Sequence, residues 1–415
     1  MININLIREN PELIKTGIEK KLASPTFVDK FIVLDEEWRK IKRATDDLRA
    51  IQKTITGAES REEAKKIKEE IIANEEKIKA LSEERDFIVS QIPNLPEESV
   101  PVGKNDADNA VLKIVGEPKE FTFEPKDYVD LASWMIDTDR ASKIAGSRFG
   151  YISDSLAELE FALMRFGMDT LLPYGFRMTL PPLMIKPEIL RRMGKGKFID
   201  AGDAFYVSED DLYLVGSSEQ SIAPMYMDES IDVSEPKRFL GFSTCFRREA
   251  GSYGKDTRGI LRVHQFNKLE MFSICRPEES KAEHEFLLAR QEELMTKLGI
   301  PYRVVINSTG DMGFDASKQY DVEAWIPSQK KYRETHSCSN TTDFQSRGLN
   351  ITYKVRGEDG KDKNEFVHTL NATAFSERPL LAILENFQRE DGSIEVPEVL
   401  KKYFGKDAIV ISSKK

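Results

Sequence analysis

The sequence predicts an α+β protein in which an N-terminal antiparallel coiled-coil hairpin precedes a domain built on an antiparallel sheet. Three observations carry this reading. Apolar residues recur at spacings of three and four through residues 28–92. A proline-rich break, Ile92-Pro-Asn-Leu-Pro96 on to Gly103, ends that pattern. Beyond it, short strand-like runs alternate with turns and a few helical stretches.

In the first helix of the hairpin Leu34, Ile41, Leu48 and Ile55 recur every seven residues, with Trp38 and Thr45 between them. In the second, Ala64, Ile67, Ile71, Asn74, Ile78, Leu81, Arg85, Ile88 and Ile92 form the seam, interrupted only by Asn74 and Arg85. Thr56-Gly57-Ala58-Glu59 reads as the turn, and Ser60 with Glu63 as a capping box opening the second helix. Two helices bury too little to be a compact domain, so residues 1–103 are expected to form a projecting arm and residues 104–415 the second domain. Towards the tip stand Arg39, Lys40, Lys42, Arg43, Arg49, Lys53, Arg61, Lys65, Lys66 and Lys68, against the acids Asp46, Asp47, Glu59, Glu62 and Glu63. A basic tip suits a phosphate backbone, which rewards charge and reach. Ordinary exposed ion pairs flanking the seam fit the same residues equally well.

In the second domain, 156–166 and 283–298 read as helices. The runs 212–216, 239–246, 261–272, 302–306, 321–326 and 349–354 read as strands. There is no GxGxxG and no Walker loop, which argues against Rossmann or P-loop nucleotide binding. The chain of 415 residues is 40% hydrophobic and 32% charged, an ordinary globular composition. Its net charge of −10 argues against general nucleic-acid binding, DNA included, unless a local basic patch overrides the average. Cys245, Cys275 and Cys338 lack CxxC spacing, and His264, His284, His336 and His368 are scattered, so neither a disulfide frame nor a zinc site is indicated. With no signal-peptide pattern and no apolar run of ~18 residues, a cytoplasmic protein without a membrane partner is expected.

The chemistry concentrates in one predicted hairpin. Phe246-Arg247-Arg248-Glu249 ends its first strand, and the returning strand runs from Leu261 to Phe272. Side chains alternate along a strand, so Arg247 and Glu249 share one face of the first. Arg262, His264, Phe266, Lys268 and Glu270 share one face of the second. Guanidinium forks suit phosphates, a flat ring suits a base, and acids suit an amine, so the face fits a purine nucleotide. A solvated hairpin of alternating charges is the plainer reading. Phe266 on a polar face argues against it.

With further motifs, this hairpin and the arm resemble the seryl-tRNA synthetase family of class II aminoacyl-tRNA synthetases. The resemblance covers nearly the whole chain. It begins with Leu6-Ile-Arg-Glu-Asn-Pro-Glu12, the arm and Ile92-Pro-Asn-Leu-Pro96. Gly175-Phe176 to Pro181-Pro182 is similar to the first class II signature, which forms the dimer interface in the family, and Phe246 to Glu270 to the second. Gly310-Asp-Met-Gly-Phe314, Tyr320 to Gln329, Ser337-Cys-Ser-Asn340 and Asp343-Phe-Gln345 follow in family order. Asn371 to Arg378, running into Pro379 to Asn386, resembles the third signature.

The resemblance implies activation of L-serine by ATP to seryl-adenylate, then transfer to the 3′-terminal adenosine of tRNA(Ser), and of tRNA(Sec) where that tRNA exists. It implies a homodimer whose arm crosses to grip the long variable arm of a tRNA on the partner subunit. Arg247 would hold the α-phosphate and the serine carboxylate, with Arg262 and Arg378 on the outer phosphates of a bent ATP. Phe266 would stack on adenine and Glu249 accept from its amine. Arg248, Thr335 and His336 fall within the ATP site, and Glu334 with Ser337 would hold Mg2+. Glu270 and the loop Ser217-Ser218-Glu219 would meet the substrate ammonium, and Asn371 and Thr373 the hydroxyl. Without the family, Ser217 to Glu219 reads as a helix cap, and neither His264 nor His336 is assigned a catalytic role.

Three departures from the family stand out. The third signature lacks the usual glycines and is one residue shorter, so Ala372 and Ala374 would add methyl groups near the substrate in a loop of altered path. Ser217 stands where Thr is typical, and the arm is shorter than in many bacterial members. Two other functions compete: a paralogue charging a carrier protein, against which the arm argues, and an RNA-binding relative with a dead site. The presence of Arg247, Glu249, Arg262, Phe266, Glu270, Glu334 and Arg378 argues against the latter.

Overall fold

The computed structural model describes residues 1–55, 61–250, 258–357 and 360–410 and divides the chain into two compact units, Met1–Leu95 and Pro96–Lys415. The expected turn at Thr56 to Glu59, the Ser60 cap and most of the loop after Ala250 lie outside the described residues.

The first unit opens with two short helices, α1 (Ile4–Glu9) and α2 (Pro11–Lys20), followed by α3 (Thr26–Thr54) and α4 (Arg61–Ser90). The Asn3 side chain caps α1, and Asn10 caps α2 ahead of a proline at its first position. None of the nine predicted seam positions from Ala64 to Ile92 is exposed. Trp38 Nε1 donates to Ser82 Oγ at 2.8 Å, and Arg49 Nη2 to Glu75 Oε1 at 2.6 Å. Partner numbers rise along α3 as they fall along α4, which is antiparallel pairing. Arg85, the charge inside the seam, has its reason in Asp35, which is 1% exposed. Arg8 donates to Asp35 through Nε and Nη2, each at 2.8 Å. Arg39 and Arg85 stand 3.0 and 3.4 Å away. Burial works to raise the Asp35 pKa, but the arginines outweigh it and hold the carboxyl below its ordinary range.

The second unit is organised by an eight-stranded sheet. In chain order its strands are β1 (Ala110–Val115), β2 (Phe176–Thr179), β3 (Lys237–Phe246), β4 (Gln265–Cys275), β5 (Tyr302–Ile306), β6 (Lys318–Ile326), β7 (Lys331–Asn340) and β8 (His368–Phe375). Their order across the sheet is β1-β5-β6-β7-β8-β4-β3-β2. Neighbours run antiparallel except the edge pair β2–β3, which is parallel. Three helices, α5 (Asp154–Leu171), α6 (Ser280–Leu298) and α7 (Glu377–Asn386), supply Leu159, Leu163, Leu287, Leu294, Leu380 and Ile383 to one core. Leu240, Leu269, Met271, Leu370 and Ala372 join that core from the sheet. The alternate side chains Phe239, Phe272 and Ile274 join a second cluster with Val215 and Ile222. The sheet is therefore buried on both faces.

Several expectations need correction. β3 stops at Phe246, so Arg247 and Glu249 are not strand residues, and β4 begins at Gln265, which leaves Arg262 and His264 ahead of it. The backbone explains this: past the Phe246–Gln265 pair Arg247 N–H still reaches His264 O, but Arg248 N–H donates to Asp203 O and His264 N–H to Arg148 O, so these two groups leave the ladder. Glu249 has φ +54, a left-handed conformation that ends a strand. In the run 349–354, Leu349 closes the helix Phe344–Leu349, and the strand starts at Thr352. The segment Asn371 to Arg378 is no loop. It is the end of β8 and the start of α7, with a register shift between Thr373 and Phe375. β1, β7 and β8 were not anticipated, and β2 only as the strand of the first class II signature.

The Asp35 cluster yields a measurable consequence. Removing one partner of a buried ion cluster leaves uncompensated buried charge. Asp35→Ala is expected to lower the hydrogen-exchange protection of α3 and α4 amides in the full chain by about 3 kcal/mol. Unchanged protection would show that the cluster is dispensable.

Candidate active site

Two adjoining cavities share Arg247 and Glu249. The first, of about 260 Å³, is lined by Arg262, Phe266, Lys268, Glu334 and Arg378, with Thr335, Ser337 and Thr373 among its walls. The second, of about 270 Å³, is lined by Lys195, Phe198, Asp203, Ser217, Glu219 and Gln220. Most of the anticipated residues thus converge, although the strand geometry expected to bring them together is different.

Arg247 is steered from two sides. Its Nε donates to Gly216 O at 3.1 Å, and its guanidinium lies 5.3 Å from the Phe266 ring centroid. His264 Nδ1 lies 2.9 Å from Arg247 O, so this imidazole holds the backbone of Arg247. Each remaining cation has a carboxylate. Arg262 Nη1 meets Glu249 Oε2 at 2.5 Å, Arg378 Nη1 meets Glu334 Oε2 at 2.9 Å, and Lys268 Nζ meets Glu270 Oε2 at 2.6 Å. Arg378 is the second residue of α7, and Ser376 Oγ accepts its N–H at 3.4 Å. Burial works to raise the Glu334 carboxyl, but Arg378 outweighs it and holds the group below its ordinary range.

Glu270 is 1% exposed and its Oε1 has no hydrogen-bond partner. Burial pushes its carboxyl up against the opposing pull of Lys268. Register places Glu270 opposite Gly241 on β3 and Thr373 on β8. Gly241 is required by close approach: a Cβ there would lie 2.5 Å from Ser218 Oγ. Ser217 to Glu219 open a one-turn helix, Glu219–Ile222, with Ser217 Oγ accepting the Glu219 N–H at 3.4 Å. Ser218, the residue at the helix N-cap, makes no side-chain capping bond, and Ser217 and Glu219 line the second cavity. Asn371 sits opposite Phe272 and lines neither cavity. Ala372 and Ala374 belong to the helix-covered core, so their methyl groups point away from the cavity and the feared intrusion does not occur.

Two anticipated ATP-site residues are placed elsewhere. Arg248 donates through Nε to Ala204 O at 3.2 Å and covers the Phe205 ring at 4.3 Å, anchoring that segment instead of lining a cavity. His336 is buried, with Nε2 3.1 Å from Ala374 O, and burial pushes its pKa down to about 3. It is a neutral structural imidazole.

Sequence reasoning missed Lys195 and Glu377. Lys195 follows Gly194, whose φ of +84 and close packing on Phe344 explain the glycine; a lysine between two glycines was the available signal. Glu377 Oε1 accepts the Asn267 N–H at 2.5 Å, next to Phe266, and Asn267 Nδ2 donates to Glu160 Oε1 at 2.8 Å. Burial, reinforced by Glu160, pushes the Glu377 carboxyl up to about 8. Asp321 lies opposite Ser337, and burial together with Glu334 pushes its carboxyl well up. Among the described residues no cluster of three or more His, Cys, Asp or Glu has a metal-binding arrangement.

In the first unit, Arg39, Lys40, Lys42, Arg43, Arg49, Lys53, Lys65, Lys66 and Lys68 are all exposed; the Arg61 side chain lies outside the described residues. Arg39 pairs with Asp35 and Arg49 with Glu75. No described helix is long and apolar enough to cross a membrane.

The antiparallel sheet and the arginine-lined cavity define a class II aminoacyl-tRNA synthetase, and residues 205–387 match the model of the tRNA synthetase class II core domain (G, H, P, S and T). Residues 1–96 match the seryl-tRNA synthetase N-terminal domain. A serine–tRNA ligase from Thermobifida fusca is 41% identical over 430 residues, covering 100% of both chains. One from Thermoplasma volcanium is 42% identical, covering 98% of each. The structure of a seryl-tRNA synthetase from Pyrococcus horikoshii, complexed with ATP, superposes with a TM-score of 0.91 at 38% identity over 99% of both chains. The chain belongs to the seryl-tRNA synthetase family.

Glu377 predicts a pH effect. Its folded-state pKa of about 8 exceeds the unfolded value, so the native state holds a proton that the unfolded chain releases above about pH 4.3, and stability falls from there up to about pH 8. Glu377→Gln keeps the acceptor and removes the titration. It should stabilise the protein by on the order of 2 kcal/mol near pH 8 and by almost nothing near pH 4. An equal gain at both, read from urea unfolding, would contradict this.

Proposed function

We propose that the chain is an ATP-dependent serine–tRNA ligase in which ATP occupies the first cavity and the amino acid reaches Glu270. The observation that carries this is the buried Glu270 carboxylate with one oxygen unpartnered, set behind Lys268 and Thr373, which line an arginine-rich cavity walled by Phe266. A serine ammonium supplies the missing donor, and Thr373, opposite Glu270, offers its hydroxyl to the substrate side chain, with Asn371 behind it.

The serine carboxylate attacks the α-phosphorus, the bond to the β-phosphate breaks, and pyrophosphate leaves. The nucleophile is already anionic, so this step needs alignment and charge neutralisation, not a base. Arg247, fixed by Gly216 O, His264 and the Phe266 face, bridges the carboxylate and α-phosphate. Arg262 and Arg378 exchange Glu249 and Glu334 for the outer phosphates, which frees Glu249 to accept from the adenine amine. The terminal adenosine hydroxyl of tRNA(Ser) then attacks the seryl carbonyl and AMP leaves. Glu334 and Ser337 offer the hard oxygen donors that Mg2+ prefers, and the Asp321 carboxyl stands opposite Ser337. The ion would neutralise the leaving pyrophosphate.

The exposed basic residues of α3 and α4 suit an RNA phosphate backbone, as in the variable arm of tRNA(Ser). A homodimer is supported by the edge strand β2 and the segment after it, which expose Met178, Leu180 and Met184. The family's chemistry and the absence of a spanning helix among the described residues suit a cytoplasmic enzyme.

Among the twenty amino acids, serine should drive ATP–pyrophosphate exchange, and another amino acid driving it with serine at background would overturn the assignment. Deleting residues 39–68 should raise KM for tRNA by roughly tenfold or more and spare exchange. Equal loss of both would make those helices structural.

A further inference from the structure

The second cavity holds a cation that the reaction above does not use. Lys195 Nζ lies 2.8 Å from Asp315 Oδ2 and 3.2 Å from Glu219 Oε1. Gln345 Nε2 ties the same two carboxylates, at 2.6 Å to Glu219 Oε1 and 2.9 Å to Asp315 Oδ2. Gln345 is itself fixed, its Oε1 accepting from Thr369 Oγ1 at 2.9 Å. Glu219 and Asp315 are 5% and 4% exposed, so water does little to screen them. The Glu219 loop sits directly over the amino-acid site, because Ser218 packs on Gly241 and Gly241 is the register partner of Glu270. Two buried carboxylates, Glu219 and Glu270, thus flank the place where one substrate ammonium must go. Lys195 and Gln345 occupy the first, and the second has a free oxygen.

We propose that Lys195 is a specificity-determining positioning residue: its ammonium, pinned between Glu219 and Asp315, cancels Glu219 as an acceptor and leaves Glu270 as the single anionic seat for the substrate ammonium. This rests on the serine-ligase reading above. A single seat fixes the amino acid in one pose, with its carboxylate towards Arg247. If Glu219 were uncancelled, the ammonium would divide between two anions and the carboxylate would leave the line of attack. The charge of Glu219 already acts on Glu270, adding to the upward push on its carboxyl.

The test is steady-state ATP–pyrophosphate exchange with the full chain. Wild-type activity with serine is the control, and its failure would strike the functional reading and not this proposal. Lys195→Ala should raise KM for serine by about tenfold or more while KM for ATP stays within about twofold. Ethylammonium should restore the serine KM in that variant, ethanol should not, and Lys195→Arg should retain most of the effect of the native residue. If Lys195→Ala does not fold, Lys195→Met with Asp315→Asn keeps the charge balance, and its serine KM should still rise because Glu219 is uncancelled. An unchanged serine KM in the folded variant, equal rises for serine and ATP, or rescue by ethanol as good as by ethylammonium would overturn the proposal.

Discussion

The site in the second unit depends on keeping opposite charges paired around one cavity. Arg247, Arg262, Lys268 and Arg378 gather within a single cavity, where like charges without partners would repel in a low-dielectric site. Glu249, Glu270 and Glu334 stand against three of them, and Arg247 is held by a carbonyl and an aromatic face. In the proposed reaction the paired carboxylates act as placeholders for the anionic groups of a nucleotide. Substrate phosphates can then replace protein partners one for one, without a large change in local charge.

The sheet supplies the precision for this exchange. Register places Gly241, Glu270 and Thr373 in a row across β3, β4 and β8, so three strands meet at one point in the floor. Gly241 leaves room for Ser218, which brings the Glu219 loop down onto the same point. Behind the floor, Ala372 and Ala374 pack into the helix-covered core. Glu377 joins the start of α7 to the backbone beside Phe266. The helix that presents Arg378 is thereby bonded directly to the strand that presents the ring.

The arm and the cavity were legible in the sequence for different reasons. Seam positions from Ala64 to Ile92 repeat locally, so periodicity alone places them, and even Arg85 was visible as an exception whose partner, Asp35, lay in the other helix. Arg247, Glu249, Arg262, Phe266, Glu334 and Arg378 were singled out through residue chemistry and family resemblance, although three of them (Arg247, Glu249 and Arg262) were assigned to strands that stop short of them. Those strand ends are set by bonds to distant carbonyls at Asp203 and Arg148, which no local pattern encodes. β8 was hidden because Asn-Ala-Thr-Ala has weak strand propensity and is held by its neighbours in the sheet. Arg248 and His336 looked equivalent to their neighbours in sequence, and only tertiary placement turns them to structural work. Lys195 stood out only as a lysine between two glycines, because its meaning lies in Glu219 and Asp315, remote in the chain.

The proposed reaction rests on Glu270 as the anionic seat for the substrate amine, beside a cavity whose carboxylates Glu249 and Glu334 already have cation partners. Calorimetric binding of a non-hydrolysable sulfamoyl analogue of seryl-adenylate, compared with the same analogue lacking its amino group, tests it most directly in native protein and Glu270→Gln. Glu270→Gln should weaken the amine-bearing analogue by about a hundredfold and the deaminated one by less than about threefold. Equal losses for the two analogues would contradict it.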